Sequence, residues 1–234
     1  MSSAAVASAE TLTPRSIATR AKLLAAAERL FAERSIAGVS LNEISKAAGQ
    51  RNSNVCQYHF GDKQGIVQAI LDRHVPGITT RRDAMLDDLE AGSTRAGLRA
   101  LVQAFVRPVA DKLNDPDGGP EFIRINAQLI ALHTLSVQGL PASPLRLARA
   151  SRFSRALRAA LGTRLPDPIA QQRLMLAAVL LFHGLDDYSR LLDASGAGAA
   201  AISADQFIAN LEDSIVGVLS APMSVTTRSS HETR

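Results

Sequence analysis

The stretch SLNEISKAAGQRNSNVCQYHFGDK, residues 40–63, decides how the N-terminal part of the chain folds. Ser40 with Glu43 three residues later is a capping box, in which each side chain accepts a hydrogen bond from the other residue's backbone N–H. A helix is therefore predicted to begin at Leu41, with apolar residues at helical spacing on one face. Gly49 is predicted to end this helix.

A second short helix is predicted directly after the turn, with Asn52 or Ser53 as its cap. Cys56 and Phe60 are one turn apart and share its buried face. The opposite face carries almost no charge and holds Asn54 and Tyr58, flanked by Val55 and Gln57. Two short helices joined by a turn that contains glycine predict a helix-turn-helix, whose second helix can enter a DNA major groove.

The residues YHFGDK at 58–63 carry a resemblance to a known family. Together with SLNEISKAAG at 40–49 and a helix ending in ERLFAERSIAG at 28–38, they resemble the DNA-binding domain of the tetracycline-repressor (TetR-like) family of bacterial transcriptional regulators. The resemblance covers about residues 19–71, and the turn at 49–52 is longer than is usual in the family. It implies an all-α fold, with an N-terminal three-helix helix-turn-helix domain followed by a C-terminal helical ligand-binding and dimerisation bundle.

The polar face of the second helix and the resemblance indicate the same set of DNA contacts. Gln57 has the amide geometry that reads adenine, Tyr58 can pack its ring on a sugar, and Lys63 can pair with a phosphate. Two alternatives stay open, because Tyr58 can instead pack on the neighbouring helix and Lys63 can be a solvated charge. The predicted DNA-binding residues are Ser40, Asn42, Arg51, Ser53, Asn54, Val55, Gln57, Tyr58, His59 and Lys63.

The positive charge of the chain is concentrated in the same region. Residues 14–63 hold eight Lys or Arg and four Asp or Glu, which accounts for the whole net charge of +4. Basic residues clustered on one segment are the electrostatic footprint of nucleic-acid binding. The alternative is an ordinary solvated surface, and the helix-turn-helix pattern favours DNA over it. The expected partner is a double-stranded DNA operator.

Length and composition indicate a soluble, intracellular class of protein. With 234 residues and 46% hydrophobic content the chain can bury a sizeable core. No apolar run approaches the roughly 20 residues that span a bilayer, and residues 1–13 lack the features of a signal peptide. A single cysteine fits a reducing compartment. We therefore expect a cytoplasmic location and no membrane partner.

Four segments are predicted along the chain. Residues 1–13 form a disordered arm, 14–75 the helix-turn-helix domain, 76–220 the helical ligand-binding and dimerisation domain, and 221–234 a disordered tail. From residue 95 onward the pattern is helix after helix with no convincing strand. Pro76-Gly77 is predicted to kink or interrupt a fourth helix at the start of the larger domain.

The resemblance implies that the C-terminal helices bind a small-molecule effector, of unknown identity, and form a homodimer through the last two long helices. The chain offers an apolar interior with few polar groups, which suits a ligand pocket and an ordinary core equally well. The candidate pocket residues are Met85, Phe105, Phe122, Leu129, His133, Phe153, His183 and Tyr188. The candidate dimer residues, which follow helical spacing, are Leu174, Leu181, Phe207, Leu211, Ile215 and Val218.

Enzyme chemistry has one candidate cluster in the sequence. His183, Asp186 and Asp187 lie one turn apart on a predicted helix, and His133 can add a ligand or a base. Such spacing is common by chance, and a histidine hydrogen-bonded in a helical core is the favoured interpretation. No P-loop, GxSxG, HExxH, CxxC or GxGxxG motif is present. We predict no catalytic activity, no metal and no cofactor.

The leading hypothesis is a ligand-responsive transcriptional regulator, more specifically a repressor that binds a partly palindromic operator as a homodimer. Two rivals come from other classes of protein. One is an all-α enzyme that uses His183 and Asp187. The other is a non-allosteric, architectural DNA-binding protein, in which the C-terminal half only dimerises.

Overall fold

The computed structural model describes residues 13–92, 97–133, 151–162, 165–195 and 202–227, without the side chains of 132, 133 and 195. This part of the chain is all-α and contains no strand, which confirms the predicted fold class. The helices are α1 (Pro14–Arg34), α2 (Leu41–Ala47), α3 (Val55–Phe60), α4 (Lys63–Ala91), α5 (Leu98–Ala110), α6 (Gly119–His133), α7 (Arg152–Gly162), α8 (Asp167–Ser195) and α9 (Ala204–Ser220), with a 3₁₀ turn at Asp111–Asn114.

Helices α1 to α3 and the first half of α4 form a small head around one apolar core. Thr13 caps α1, since its side chain accepts a hydrogen bond from Ser16 N, and Pro14 occupies the first helical position. The fully buried side chains come from all four helices, namely Leu23, Ala27 and Phe31 of α1, Ile44 of α2, Cys56 of α3, and Ile66 and Ile70 of α4. The core therefore fixes α3 against three other helices.

Helix α4 is continuous, so the predicted interruption at Pro76-Gly77 is wrong. Asp62 caps the helix as expected, accepting a hydrogen bond from Gly65 N at 2.8 Å. Proline at 76 removes only the hydrogen bond to the carbonyl of Asp72, and these residues are exposed, so water can hydrate that carbonyl. One helix thus crosses the position, between residues 75 and 76, where two domains are predicted to meet.

Helices α5 to α9 and the second half of α4 form a larger body. Helix α6 packs on α8, α8 packs on α9, and α9 packs on α5. The buried carboxylate of Glu212 on α9 accepts a hydrogen bond from Arg107 Nε on α5 at 2.8 Å, so this pair joins the two helices. Arg152 at the start of α7 pairs with Asp87 and Glu90 of α4, which ties α7 to the end of α4.

The head and the body meet where α6 reaches the end of α1. The amide of Gln128 on α6 donates to the carbonyl of Phe31 and accepts from Ile36 N, both at 2.9 Å. Nearby, the buried carboxylate of Glu28 on α1 pairs with Arg73 and His74 of α4. We give the name junction to these side chains, Glu28, Arg73, His74 and Gln128, together with the backbone of Phe31 and Ile36. These polar contacts link α6 and α4 to α1 and to the connection that follows it.

Two observations concern the chain ends and membranes. Residues 221–227 belong to the described part, in which Arg173 donates to the carbonyls of Leu219 and Ala221 and Met223 packs on the core. Of the predicted arm at 1–13, residues 1–12 lie outside the described residues, and so do residues 228–234 of the predicted tail at 221–234. Within the described helices, none combines the length and apolar character that crossing a membrane requires.

Candidate nucleic-acid interface

The predicted capping box at the start of α2 is present. Ser40 Oγ accepts from Glu43 N at 3.3 Å, and Glu43 Oε2 accepts from Ser40 N at 2.9 Å. Arg34 at the end of α1 adds an ion pair of 2.7 Å to the same carboxylate. The hydrogen bonds from Ser40 and Arg34 lower the pKa of Glu43 to about 2. The start of α2 is thus fixed both to its own cap and to α1.

The turn between α2 and α3 depends on backbone geometry at one glycine. Gly49 has φ of +71°, a left-handed conformation that disfavours a side chain. Its N–H donates to the carbonyl of Lys46, and Gln50 N donates to the carbonyl of Ser45. Asn52 Oδ1 accepts from Asn54 N at 3.0 Å, so Asn52 supports the chain just before α3. The sequence predicts that Gly49 ends helix α2, and the structure confirms this.

Ser45 holds α3 against α2, a role that the sequence pattern did not reveal. Its side chain is fully buried, and its Oγ accepts from Cys56 N at 3.4 Å. The hydroxyl lies 3.0 Å from the carbonyl of Leu41 and 3.1 Å from that of Ser53, so it donates to one of them. The sequence alone shows only a serine inside a predicted helix. Its partners outside α2 become visible only in the tertiary structure.

We expect Ser45→Ala to destabilise the head by about 1–3 kcal/mol, because it leaves buried backbone groups without a partner. The matched control is Ser214→Ala, since Ser214 also donates to the carbonyl one turn earlier but is exposed. Urea unfolding followed by circular dichroism measures both variants. Equal stability changes in the two variants would show that Ser45 makes only a local helix contact.

The exposed face of α3 and its preceding turn is polar. Ser53, Asn54, Gln57 and Tyr58 are exposed, and we call these four residues the reading face. Tyr58 is 74% exposed, with its ring centre 5.1 Å from that of His59 in an edge-on arrangement, so it does not pack on a neighbouring helix of the described chain. An exposed set of amide and hydroxyl groups is the chemistry that reads base edges in a major groove.

The remaining predicted DNA contacts lie around this face with different exposures. Ser40, Asn42 and Arg51 are the exposed ones, at the start of α2 and in the turn. Val55 and His59 follow on α3 itself, where Val55 is partly buried. Burial, followed by the charge of Arg20, lowers the pKa of His59, which favours a neutral imidazole.

Arg20 is a further cation beside α3. It is not among the DNA-binding residues predicted from the sequence. Its guanidinium lies 4.8 Å from the centre of the Phe60 ring. Arg20 belongs to α1, so the contact brings a positive charge from that helix to the end of α3. Its place beside α3 depends on how the two helices pack, which the sequence pattern does not show.

Lys63 has structural partners inside the protein. Its ammonium donates to the carbonyls of Ile36 and Ala37, at 3.2 and 3.1 Å. These bonds tie the first turn of α4 to the connection between α1 and α2. An ammonium has three N–H groups, so a phosphate contact through the third is compatible with this geometry. The predicted phosphate role of Lys63 thus sits beside a structural one.

The predicted pocket residues do not form one cluster. Met85, Phe105 and Phe153 lie on α4, α5 and α7, where the two phenylalanine rings stack with centres 5.8 Å apart. Phe122 instead packs on His74 at the junction, with ring centres 4.8 Å apart. Tyr188 stacks on Phe207 of α9 at 4.3 Å. Leu129 and His183 are partly buried on α6 and α8, and the side chain of His133 lies outside the described part.

Three of the predicted dimer residues are buried inside the protomer. Leu181, Leu211 and Ile215 are at most 7% exposed, so they cannot form the seam between two copies. The error has a physical cause, because the apolar stripe of α9 faces α5 and α8 instead of a second chain. Leu174, Phe207 and Val218 are partly buried. The exposed apolar side chains of α8 are instead Leu176 and Leu191, 51% and 43% exposed, with Leu180 partly buried between them.

The candidate enzyme cluster is not assembled as a site in the described residues. Asp186 is held by Arg124 Nε at 2.9 Å and by Arg190 Nη2 at 3.1 Å, so its carboxylate is occupied by two cations. Asp187 is exposed and His183 is partly buried. No group of three or more histidine, cysteine or acidic side chains in the described part is arranged to hold a metal ion.

One groove of about 750 Å³ lies in the head and not in the body. It runs between α1 and the first half of α4, and its lining includes Ile17, Arg20, Leu24, Ala69 and Arg73. None of the predicted pocket residues contributes to it. The groove is therefore separate from the helices in which an effector is expected.

The chain is similar to known regulatory proteins in sequence and in fold. Residues 23–70 match the family model of bacterial regulatory proteins of the tetR family. The structure is similar to that of NalD, the secondary repressor of the MexAB-OprM multidrug efflux pump in Pseudomonas aeruginosa. That alignment has 21% identity and a TM-score of 0.50, and it covers 87% of this chain and 96% of NalD.

Two further solved structures align over most of their length with lower scores. A chain from Rhodococcus sp. assigned to the TetR family shares 21% identity over 86% of this chain and 98% of its own, with a TM-score of 0.42. The TetR family transcriptional regulator PfmR from Thermus thermophilus shares 14% identity over 91% of this chain and 98% of its own, with a TM-score of 0.39. No curated protein matches the chain.

Proposed function

The chain belongs to the TetR-like family of bacterial transcriptional regulators, which bind DNA through a helix-turn-helix, and we propose that it is a homodimeric repressor released from its operator by a small molecule. The observation that carries the proposal is the reading face at the end of a rigid helix-turn-helix. Two of its four exposed polar side chains lie on α3 and two in the turn before it, and the other side of α3 is anchored by Cys56, at 0% exposure.

Specific DNA reading is supported by the chemistry of this face. Gln57 offers a donor and an acceptor to adenine, while Asn54 and Ser53 offer shorter polar groups one turn earlier. Arg20 and Arg51 supply charge for the phosphates on either side. The reading face is small, and α3 has only six residues. Two copies held about one helical turn of DNA apart, roughly 34–36 Å, are needed for useful affinity.

The test begins with selection of bound genomic fragments by the purified protein. We expect a partly palindromic site to be enriched. Gln57→Ala should then cost about 1–3 kcal/mol on that site and relax preference at one base position in each half. Its control is Gln171→Ala, an exposed glutamine on α8 in the body. Random DNA should be bound equally by wild type and both variants. Equal loss on selected and random DNA would remove Gln57 from base reading, and no enriched site would remove sequence-specific regulation.

Dimer formation is proposed through the exposed apolar side of α8. Leu176, Leu180 and Leu191 follow the spacing of one helix face. Burying such a stripe against its copy removes apolar surface from water. Phe207 and Val218 on α9 are partly buried and remain candidates for the same seam. This set replaces the buried residues of the predicted seam.

We propose that effector binding in the body is transmitted to the DNA-binding head through the junction. A ligand releases DNA only if it binds better to the conformation with badly spaced heads, and a 10²-fold loss of DNA affinity requires about 2.7 kcal/mol of coupling. Gln128 connects α6 to the end of α1 by two hydrogen bonds, and Glu28 connects α1 to α4. A shift of α6 therefore pulls on the helix that supports the reading face.

A further inference from the structure

Arg82 on α4 is a partly buried cation whose partners are backbone carbonyls. Its Nε donates to the carbonyl of Ala104 at 2.9 Å, and its Nη2 donates to that of Phe105 at 3.4 Å. The carbonyl of Ala104 is available because the residue four positions later is Pro108, which has no N–H to donate. Arg82 Nε thus replaces the N–H donor that α5 lacks at Pro108.

The charge of Arg82 has no carboxylate partner among the described residues. Thirteen ion pairs are formed there, and none involves Arg82. The segment 134–150, which leads into α7, contains no Asp or Glu at all. Outside the described residues, side-chain carboxylates occur only at Glu10 and Glu232, near the two ends of the chain. Burial lowers the pKa of Arg82 to about 10, an effect that the charge of Asp83 opposes.

Two aromatic rings stand beside the guanidinium. It lies 4.7 Å from the centre of the Phe153 ring and 6.0 Å from that of Phe105, and the two rings are nearly parallel. The Nη1 group donates to none of the described residues. Every fully buried polar side-chain atom in that part of the chain has a partner, so Nη1 is not enclosed. Nη1, with its two N–H bonds, is therefore the part of the guanidinium that has no partner among the described residues and is not fully buried, beside the partly buried Phe105 and the buried Phe153.

We propose that Arg82, Phe105 and Phe153 form a binding site for an organic anion with an aromatic body, which rests on the proposed role of the helical body as the effector domain. The anionic group pairs with Nη1 of Arg82, and the aromatic part packs on the ring of Phe105, which is partly buried and stacks on the buried Phe153. The anion supplies the ion pair that Arg82 does not form among the described residues. Met85, one turn along α4 from Arg82, adds a flexible apolar contact.

The site is tested with two fluorescent probes that share an aromatic body and differ in charge. 8-Anilinonaphthalene-1-sulfonate carries an anion, and N-phenyl-1-naphthylamine is the neutral counterpart. Fluorescence titration of the full chain, without DNA, gives the dissociation constant of each probe. We expect Arg82→Gln to weaken sulfonate binding by about tenfold or more, and to change binding of the neutral probe by less than about twofold.

Two further variants separate charge recognition from protein stability. Arg81→Gln removes the neighbouring cation, which is exposed and paired with Asp111 at 3.8 Å, and it should change neither probe. Pro108→Ala restores an N–H for the carbonyl of Ala104. In the Pro108→Ala background, Arg82→Gln therefore removes the charge without leaving that carbonyl unpaired. Compared with Pro108→Ala alone, the double variant should again weaken only binding of the sulfonate probe.

The proposal is overturned if Arg82→Gln leaves sulfonate affinity unchanged in both backgrounds, or if both probes weaken equally. Equal weakening would identify an apolar surface without anion recognition. Operator binding is measured separately, without probe, for wild type and Arg82→Gln. Unchanged sulfonate affinity in a variant that still binds DNA rejects only this inference, whereas a failure of the wild type to bind any selected DNA rejects the proposed function and leaves the probe result valid.

Discussion

Replacing Leu176 and Leu180 by Glu in one chain is expected to give folded monomers whose operator affinity is lower by about 10³-fold. Leu176 is 51% exposed in the protomer, so its replacement removes little packing, while Leu180 is partly buried and also packs against the core. In the proposed dimer the two substitutions bring four carboxylates together on an apolar seam, where unpaired charge is costly. A monomer reads one half-site, so its affinity falls towards that of non-specific binding.

Sedimentation velocity measures the assembly, and circular dichroism checks the fold. Val225→Glu is the matched control, because Val225 is 75% exposed but lies beyond α9, and it should leave the dimer intact. Ile215→Lys is a second comparison, a charged substitution in the core of the protomer instead of at the proposed seam. Ile215 is fully buried, so this change should unfold the body instead of separating two folded chains. A double Leu176 and Leu180 variant that stays dimeric would place the seam on another surface.

Glu28→Gln is expected to lower the free energy of unfolding by about 3 kcal/mol, because it leaves the guanidinium of Arg73 facing a neutral amide and changes the hydrogen-bond partner of His74. The carboxylate is 3% exposed and lies 2.8 Å from Arg73 Nη1 and 3.0 Å from His74 Nε2. Its surroundings leave little room for relaxation. A Cβ added at Gly118, which has φ of +86°, would lie 2.7 Å from the Glu28 Oε2 atom. The ion pair is therefore held between α1, α4 and the start of α6.

Urea unfolding compares Glu28→Gln with Glu33→Gln, a matched change at an exposed position on the same helix. The control should stay within about 0.5 kcal/mol of the wild type. If Glu28→Gln is as stable as the control, the buried pair contributes no net stability and does not fasten the head to the body. Weaker operator binding at unchanged stability would instead give Glu28 a role in positioning the head.

The sequence by itself determined the parts of the head that depend on neighbouring residues. The capping box at Ser40, the glycine turn at Gly49 and the cap at Asp62 all appear where the residue pattern predicts them. Each rests on hydrogen bonds between residues three or four positions apart, or on the φ angle of one residue. Local chemistry of this kind is present in the chain before any tertiary contact forms, so it can be read directly.

Helix continuity and helix partners were decided only by the tertiary structure. Pro76 predicts a break, yet its exposed position on α4 lets the helix continue with one carbonyl hydrated. The stripe of α9 correctly indicates a buried face, but a stripe does not say which neighbour covers it. Packing against α5, fixed in part by the Arg107 and Glu212 pair, buries that stripe within the protomer.

The same limit applies to the polar groups that the sequence pattern missed or only half identified. Ser45 finds its partners 8 and 11 residues away, and Lys63 finds its carbonyls 26 and 27 residues away. Arg82 meets the carbonyl that Pro108 frees on another helix. These contacts join residues that no helical period relates, because the meeting of two elements depends on how whole helices pack. The residue pattern therefore locates the short helix α3 with its exposed polar face, while packing decides what holds that helix and which groups of Arg82 have no protein partner among the described residues.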